Sequence, residues 1–310
     1  MAGRTSSLKN SFNASATGCS SPVGPTGLLQ PLADALKLLF KEDIKPAMAD
    51  RWLYPLAPAI SLVAALASFA VIPIGPTLQI GAGQLGLVIQ DLPVGLVYLI
   101  GASSLGVYGV VLGGWSSGSK YSLLGALRGG AQVVSYELVL GLALVGVVLV
   151  SGSLSLSEIV AKQASSVPFV ILQPLGFLLY FTAAVAETNR APFDLPEAEQ
   201  ELVAGYHTEY SGFRFGMYFI AEYVNVLTVS AVAATVFFGG WTGPFNVLGG
   251  PWWLLIKMTV FAFIFVWLRA TLPRLRYDQL MRLSWGVLLP LGLLNALVTA
   301  VLVVAFSGAR

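Results

Sequence analysis

Long apolar segments constrain this chain of 310 residues more than any other feature. Runs of at least about eighteen apolar residues recur along it, and each can cross roughly 30 Å of hydrocarbon as a helix. Because lipid offers no water to the backbone, such runs must pair their N–H and C=O groups internally, as helices do. The alternating ten-residue segments of a transmembrane β-barrel do not occur in the sequence. The sequence therefore predicts an all-α, polytopic integral membrane protein.

Composition narrows the chemistry that this chain can perform by itself. Charged residues make up 10% of the chain, against about a quarter in a typical soluble domain. Cys19 is the single cysteine, which excludes an intramolecular disulfide, and no Cys/His spacing is typical of a metal or iron–sulfur site. No glycine-rich nucleotide loop stands between a strand and a helix. We therefore expect the chain itself to bind no metal, flavin, haem or cluster, and no nucleic acid.

Seven membrane spans are predicted, and the loops between them differ sharply in basic charge. The spans are residues 53–74, 93–114, 131–151, 168–187, 215–239, 251–271 and 284–306. One set of loops carries most of the 17 Lys and Arg residues: six in 1–52, two in 115–130, two in 188–214 and four in 269–283. The opposite set of loops holds only Lys162 and Arg310. The positive-inside rule places the first set, and with it the N-terminus, on the cytoplasmic or matrix side.

An amphipathic helix is predicted before the first span, over residues 27–45. One face of this helix is apolar and carries Leu29, Leu32, Leu36, Leu39 and Phe40. The other face is charged and carries Asp34, Lys37, Lys41 and Lys45. Such a helix suits the membrane surface on the basic side. Two interpretations stand side by side, a simple interfacial anchor and a helix that lines the mouth of a lipid-side cavity.

Residues 1–26 differ from the rest of the chain. They are rich in Ser, Thr and Gly, contain no acidic residue and no apolar run, and so do not form a secretory signal. The composition weakly resembles an organelle transit peptide, with disorder or a misassigned start as alternatives. The predicted organisation is an unmatched N-terminus at 1–26 and a single membrane domain at 27–310 with a cytoplasmic acidic loop at 188–214.

Ionisable side chains inside the spans are candidate functional groups. Glu137, Glu187 and Glu222 all fall in the basic-side half of their predicted spans. An ionised carboxylate is costly there, so each should be paired, protonated or exposed to an internal aqueous cavity. Acids that exchange protons through Tyr, Asn and water form a proton path, whereas the alternative is three separate helix–helix hydrogen bonds. Lys257 either snorkels to the outer interface or has a functional role.

Acidic residues are concentrated in and next to the acidic loop. Residues 186–212, AETNRAPFDLPEAEQELVAGYHTEYSG, hold six of the 15 acidic residues and the single histidine. Asp194 is expected to cap a helix that has Pro196 in its first turn and Glu197 at its third position, and Gly205 is expected to end it. Residues 206–210 are predicted as irregular backbone. The clustered carboxylates repel one another, so some are expected to hold protons near neutral pH.

Several stretches together resemble the H subunit of NADH-quinone oxidoreductase, the respiratory complex I component at the junction of its membrane and hydrophilic arms. The acidic loop resembles the signature loop of that family. The other matching stretches are GPTGLLQPLADALKLLFKEDIKP at 24–46, KYSLLGALRGGAQVVSYEL at 120–138 and WLRATLPRLRYDQLMRLSW at 267–285. The resemblance covers about residues 24–306, and Lys257 stands where family members often carry a lysine.

The resemblance implies a function and a set of site residues. The chain would help to form the chamber in which a quinone such as ubiquinone is reduced, and would couple that reduction to proton translocation without being catalytic alone. NADH, flavin and iron–sulfur clusters would belong to partner subunits, which include peripheral quinone-site subunits and antiporter-like membrane subunits. The proton route would use Glu137, Glu187 and Glu222. The chamber and acidic loop would use Arg190, Asp194, Glu197, Glu199, Glu201, His207, Glu209 and Arg214, and the partner-facing loop Arg274, Arg276, Tyr277 and Asp278.

The sequence departs from the family pattern at its N-terminus and after Trp285. The family has eight spans, and the first of them is not matched here, which indicates a truncated record and would place a restored N-terminus outside. Trp285 is followed by Gly286 where the family often has lysine. The alternatives are the equivalent subunit of a membrane-bound hydrogenase-type complex and a secondary transporter, although the two halves lack a transporter's inverted repeats. The expected location is a bacterial inner membrane, or an organelle inner membrane.

Overall fold

The computed structural model describes residues 29–76, 78–80, 83–196, 205–243 and 249–307. Among these residues, six helices are long and apolar enough to cross a membrane, which confirms the polytopic all-α prediction. The helices, in chain order, are α1 Gln30–Phe40, α2 Leu53–Ala70, α3 Gly95–Ser116, α4 Lys120–Ser151, α5 Leu156–Ser165, α6 Phe169–Leu172, α7 Pro174–Glu187, α8 Gly212–Phe237, α9 Pro251–Thr271, α10 Tyr277–Leu283 and α11 Leu289–Ser307. A short antiparallel hairpin pairs β1 Leu78–Ile80 with β2 Gly83–Leu85.

Helix α4 is longer than predicted and carries two residues that the sequence had assigned to a loop. It begins at Lys120 and runs for 32 residues, about 48 Å at 1.5 Å per residue. This exceeds the roughly 30 Å of a bilayer core. Lys120 and Arg128 therefore lie on helix. Gly125 lets the extended helix lie close to the acidic loop. A Cβ at this position would stand only 2.9 Å from the backbone nitrogen of Tyr206.

The predicted fourth span is divided into two short helices. Helix α6 ends at Leu172 and α7 begins at Pro174, with Gln173 between them at φ −129° and ψ 55°. Because Pro174 has no N–H to continue the hydrogen bonding of α6, the helix breaks immediately before this proline. The Gln173 side chain bonds Thr299 Oγ1 at 2.6 Å and accepts from Asn295 Nδ2 at 3.0 Å. These buried bonds tie the break to α11.

The last predicted loop, 269–283, is partly helical. Arg269 lies in the last turn of α9, and α10 begins at Tyr277. A π-helical segment at Ser284–Leu288 then joins α10 to α11, so that the apolar run from Tyr277 to Phe306 is continuous. The irregular connection is therefore short, and Tyr277 and Asp278 stand on a helix and not on a loop.

The two sets of loops predicted from basic charge lie at opposite ends of the helices. At one end, Asp50 N–H donates to Ser116 O at 3.0 Å, and Leu275 N–H donates to Pro192 O at 3.0 Å. At the other end, Leu96 N–H donates to Leu154 O at 3.0 Å. The first end is called the basic face and the second the outer face. The carboxylates of the sequence analysis lie toward the basic face.

Helix α1 is shorter than the predicted 27–45, since residues 41–46 are not helical and residues 27 and 28 lie outside the described residues. Lys41 is already extended, with φ −73° and ψ 139°. Ile44 N–H donates to Ser211 Oγ at 2.9 Å, which holds this segment against the start of α8. The leucines of the apolar stripe remain exposed; they are Leu29, Leu32, Leu36 and Leu39.

Candidate functional site

Two small connected cavities lie among α3, α4, α7 and α8. The first encloses about 60 Å³ and is lined by Glu187 and Glu222. The second encloses about 20 Å³ and extends toward Tyr180 and Val232. The two share four lining residues, which are Ser103, Glu187, Thr188 and Asn225. Since one water needs roughly 10–15 Å³, the first cavity has room for a few waters beside two carboxylates.

Glu222 on α8 forms a buried ion pair with Arg190. Arg190 Nε lies 2.7 Å from Glu222 Oε1, and the two side chains are 9% and 11% exposed. The guanidinium also lies over the Tyr223 ring, 4.9 Å from its centroid. A buried charge pair of this kind offsets part of the cost of removing both ions from water. The structure thus joins two residues that the sequence predicted separately, one from a span and one from the acidic loop.

The turn after α7 positions Arg190. The side chain of Gln132, on α4, donates to Ala186 O and Phe193 O, both at 2.8 Å. Within that turn Asn189 has φ +52°, a conformation that asparagine tolerates better than most residues. The amide of Gln132 thereby fixes both ends of the turn, and Arg190 leaves it in the direction of Glu222.

Glu187 and Glu137 approach the same segment of α3. Glu187 ends α7 and lines both cavities. Ser103 lines both cavities together with Glu187, and Glu137 is near enough to act on the Glu187 carboxylate electrostatically. Ser104 Oγ donates to Glu137 Oε1. The structure therefore brings all three predicted intramembrane acids to one region, Glu187 and Glu222 at the cavity wall and Glu137 beside it.

The end of the acidic loop rests on the extension of α4. Ser122 Oγ donates to Tyr206 O at 2.8 Å, and the loop approaches closely at Gly125. Gly205 has φ +62°, which suits a glycine that ends a helix, and residues 205–207 form one 3-10 turn where irregular backbone was predicted. The helix predicted to follow Asp194 does not include Leu195 and Pro196, which form a turn, and its remainder over 197–204, with Glu197, Glu199 and Glu201, lies outside the described residues.

His207 is packed among aromatic rings. Its ring centroid is 4.9 Å from that of Tyr206 and 5.2 Å from that of Phe215, and the residue is 9% exposed. Asp194 is half-buried at the start of the loop, and its carbonyl accepts a hydrogen bond from Arg274 Nη2. Neither residue lines the two cavities.

Tyrosines form the wall between the acidic loop and the helices. Tyr54 and Tyr210 stack with centroids 4.3 Å apart and planes 4° apart, and Tyr218 meets Tyr210 edge-on at 5.1 Å. Tyr54 donates its hydroxyl to Glu209 O at 2.7 Å. Burial raises the pKa of Tyr210 above its usual value. Arg214 lies 5.2 Å from the Tyr54 ring and 3.1 Å from Asp43, so it ties the wall to the segment after α1.

The last loop packs against the start of the acidic loop through part of its length. Arg274 Nη2 donates to the Asp194 carbonyl, and the backbone N–H of Leu275 donates to the Pro192 carbonyl. Arg276 and Asp278 form an exposed pair with a separation of 3.3 Å, whereas Tyr277 packs against the core. The residues predicted to face partners thus divide into exposed charges and groups that contact this chain itself.

Lys257 reaches backbone carbonyls at the outer end of α8. Its Nζ donates to Phe238 O at 2.6 Å and to Gly240 O and Thr242 O, both at 2.8 Å. A lysine ammonium has three donors, and all three are used. These carbonyls follow the C-terminal end of α8, where a positive charge also complements the helix dipole. The contacts favour a structural role at the outer face.

Sequence analysis did not single out three polar residues near the acids, namely Ser103, Ser104 and Gln132. The available signal was two adjacent hydroxyls near the centre of an apolar span, where each polar group needs a partner. Among the described residues, no group of three or more His, Cys, Asp or Glu side chains could hold a metal ion.

Comparisons with known proteins give one consistent result. The family model described as NADH dehydrogenase matches residues 17–300, a match that begins at residue 17 and not near Gly24. The H subunit of NADH-quinone oxidoreductase from Thermomicrobium roseum is 58% identical over 282 residues, covering 88% of this chain and 82% of the relative. H subunits of the same enzyme from Geobacter sulfurreducens and Syntrophotalea carbinolica are each 56% identical, covering 89% and 90% of this chain and 83% of either relative.

Proposed function

The chain belongs to the NADH dehydrogenase family, and on that premise we propose that it helps to form a quinone-reduction chamber and couples quinone reduction to proton translocation. It is an integral membrane subunit of NADH-quinone oxidoreductase and is not catalytic alone. NADH oxidation, flavin and iron–sulfur chemistry are assigned to partner subunits. The name shared by the relatives favours the quinone assignment over a hydrogenase-type complex.

The observation that carries the proposal is the convergence of Glu187 and Glu222 on one cavity. The acids come from different helices, α7 and α8, and the cavity has room for water between them. Buried carboxylates in a membrane are costly unless they have a task or a partner. Carboxylates beside water can exchange protons, which a purely structural pair on a packed interface cannot do.

Electrostatics connect the cavity to the acidic loop. Reduction of a quinone to a quinol takes up electrons and protons in equal number, so it changes the charge of its surroundings until the protons are replaced. Arg190 stands at the start of the acidic loop, and its Nε is held 2.7 Å from Glu222 Oε1. A shift of Arg190 toward the chamber would leave Glu222 without its counter-ion and favour its protonation. Glu222 would then exchange a proton with Glu187 through the cavity, and Glu187 would respond to Glu137.

Chamber residues have different tasks in this proposal. Glu209 and Arg214 hold the loop and the segment after α1 through Tyr54 and Asp43. Glu197, Glu199 and Glu201 remain proposals from the resemblance for groups that face the quinone, and His207 and Asp194 shape the loop. Arg276 and Asp278 are proposed to meet partner subunits, since both are exposed.

The test is neutral substitution of the cavity acids in the intact complex. Glu222→Gln and Glu187→Gln keep size and polarity but cannot ionise. We expect quinone-reducing turnover coupled to proton translocation to fall about tenfold or more in assembled complex, because a proton-transferring group is lost. The measurements are NADH-driven quinone reduction and vesicle acidification.

Glu158→Gln is the matched control. Glu158 is an exposed carboxylate in the first turn of α5, at the outer face and away from the cavities. It should leave both rates unchanged. Full coupled turnover in assembled Glu222→Gln and Glu187→Gln complexes would refute the role of the cavity in coupling.

A further inference from the structure

We propose that Ser103 and Ser104 form a hydroxyl bridge that links the ionisation of Glu187 to that of Glu137, which makes them positioning residues for proton transfer. The inference rests on the proposed function and assigns a hydroxyl connection between two acids that lie on the adjacent helices α4 and α7.

The two hydroxyls share one acceptor. Ser103 Oγ donates to Ile100 O at 2.9 Å, and Ser104 Oγ donates to the same oxygen at 2.8 Å. Ser104 also donates to Glu137 Oε1, and Ser103 lies beside Glu187, with which it lines both cavities. Successive helical residues differ by about 100° in direction. One short segment of α3 can therefore meet acids that approach from α7 and from α4.

Each serine hydroxyl has only one proton, so it must change its acceptor when the neighbouring carboxylate changes its protonation state. A serine hydroxyl has one proton to donate and lone pairs to accept with. When Glu137 is ionised, Ser104 can donate to it. When Glu137 is protonated, the carboxyl group donates to Ser104 Oγ, and the serine proton returns to the Ile100 carbonyl. No bond to carbon changes, and each hydroxyl keeps its proton.

Ordinary serine behaviour does not account for the pair. A serine in a helix often donates to the carbonyl three or four residues before it, as Ser68 on α2 does to Ala64 O at 2.9 Å. Ser103 and Ser104 have this bond as well, but Ser104 has the Glu137 carboxylate as a competing acceptor and Ser103 lies beside the Glu187 carboxylate. Ser103 also lines both cavities together with Glu187. The carboxylates make the difference between an inert hydroxyl and one that changes partner.

The first experiment compares Ser104→Ala, Ser103→Ala and the double variant with Ser103→Thr and Ser104→Thr in the intact complex. Alanine removes the hydroxyl without adding volume, and threonine keeps it. Loss of a hydrogen bond to a charged group changes an ionisation equilibrium by about tenfold. We expect coupled turnover to fall several-fold in each alanine variant and about tenfold in the double variant, with threonine restoring most of it.

A spectroscopic readout separates this role from simple packing. Redox-induced infrared difference spectra report the C=O stretch of protonated carboxyl groups. In Ser104→Ala the band that Glu137→Gln abolishes should shift in frequency, and in Ser104→Thr it should return. Ser68→Ala, which removes a helix back-bond to Ala64 O, should leave turnover and bands unchanged.

The outcomes are distinct. Unchanged turnover and unchanged bands in the double alanine variant would overturn the bridge, while loss of turnover in Glu187→Gln would leave the proposed function standing. Unchanged turnover in the glutamine variants as well would overturn both. If an alanine variant fails to assemble, Ser104→Cys decides the question, because a thiol is a weak donor of similar size. Full turnover with an unshifted band in that variant would also overturn the bridge.

Discussion

Helix α8 carries a charged site near each end, and the two sites are satisfied in different ways. Toward the basic face, Glu222 is paired with Arg190 beside a cavity. At the outer face, Lys257 donates to three carbonyls just beyond the helix end. The ammonium has no donor left to offer. The acid, in contrast, meets a movable cation and a space that fits water.

The comparison teaches how to separate a structural charge from a functional one in a membrane. A charge that is saturated by backbone groups is held in one state, because the backbone cannot move away without unfolding. A charge whose partner is a side chain on a loop turn, held there by Gln132, can lose that partner while the helices stay in place. Depth in the membrane does not distinguish the two cases, whereas the type of partner does.

Removing the cation of the first site should have the largest effect. Arg190→Met leaves the Glu222 carboxylate buried without its counter-ion, at a cost of about 3–5 kcal/mol. We expect poor assembly and loss of coupled turnover. The double variant Arg190→Met with Glu222→Met should recover assembly but not coupling. Native gels and vesicle acidification measure the two properties, and recovery of both in the double variant would contradict a functional pair.

Removing the cation of the second site should affect stability alone. Lys257→Met leaves three carbonyls without donors, and unsatisfied polar groups cost about 1–3 kcal/mol each. We expect a lower thermal transition of the complex but unchanged coupled turnover per assembled complex. Lys162→Met, which removes an exposed lysine bound to the single carbonyl of Ser151, should shift the transition less. Loss of turnover in assembled Lys257→Met would break the comparison.

The smallest expected effect concerns the tyrosine wall. Tyr210→Phe keeps the stack on Tyr54 but removes a hydroxyl that donates to Tyr54 O at 3.1 Å, at a cost of about 0.5–1.5 kcal/mol. Tyr108→Phe, on the exposed surface of α3, is the control and should be neutral. Thermal unfolding at neutral pH measures both.

Alkaline pH should distinguish Tyr210→Phe from the unmodified chain. Burial raises the pKa of Tyr210, so its folded form binds a proton more tightly than the unfolded chain does. Its contribution is present at neutral pH and is lost as pH rises above the unfolded value of about 10. Tyr210→Phe should therefore lose less stability on alkaline titration than the unmodified chain.

Much of the architecture could be read from hydropathy, and the errors have local causes. The spans beginning at Leu53 and Pro251 agree with the structure within a few residues, since lipid-facing length is a one-dimensional property. The start of α4 at Lys120 was missed because its first turns face the acidic loop and carry polar residues and glycines. The break at Gln173 was missed because its stabilising amide network comes from α11.

The acids of the site were predictable, whereas their partners were not. A carboxylate in an apolar run is visible in one dimension, as Glu137 and Glu222 are. The pairing of Arg190 with Glu222 joins two distant positions of the chain, and it depends on a turn that Gln132 holds from a third helix. Ser104 resembles any serine in a span until Glu137 is placed beside it.

The amino-acid sequence alone determined that this chain spans a membrane, how its basic loops divide between two faces, and which side chains are too polar to lie in lipid without a partner. Tertiary structure decided which partner each of them has. It placed Lys257 on three carbonyls and put Arg190 on Glu222 beside a cavity. Hydrophobic length is a sum over neighbouring residues, but the energy of a buried charge depends on the few atoms within hydrogen-bond distance, and folding alone brings those atoms together.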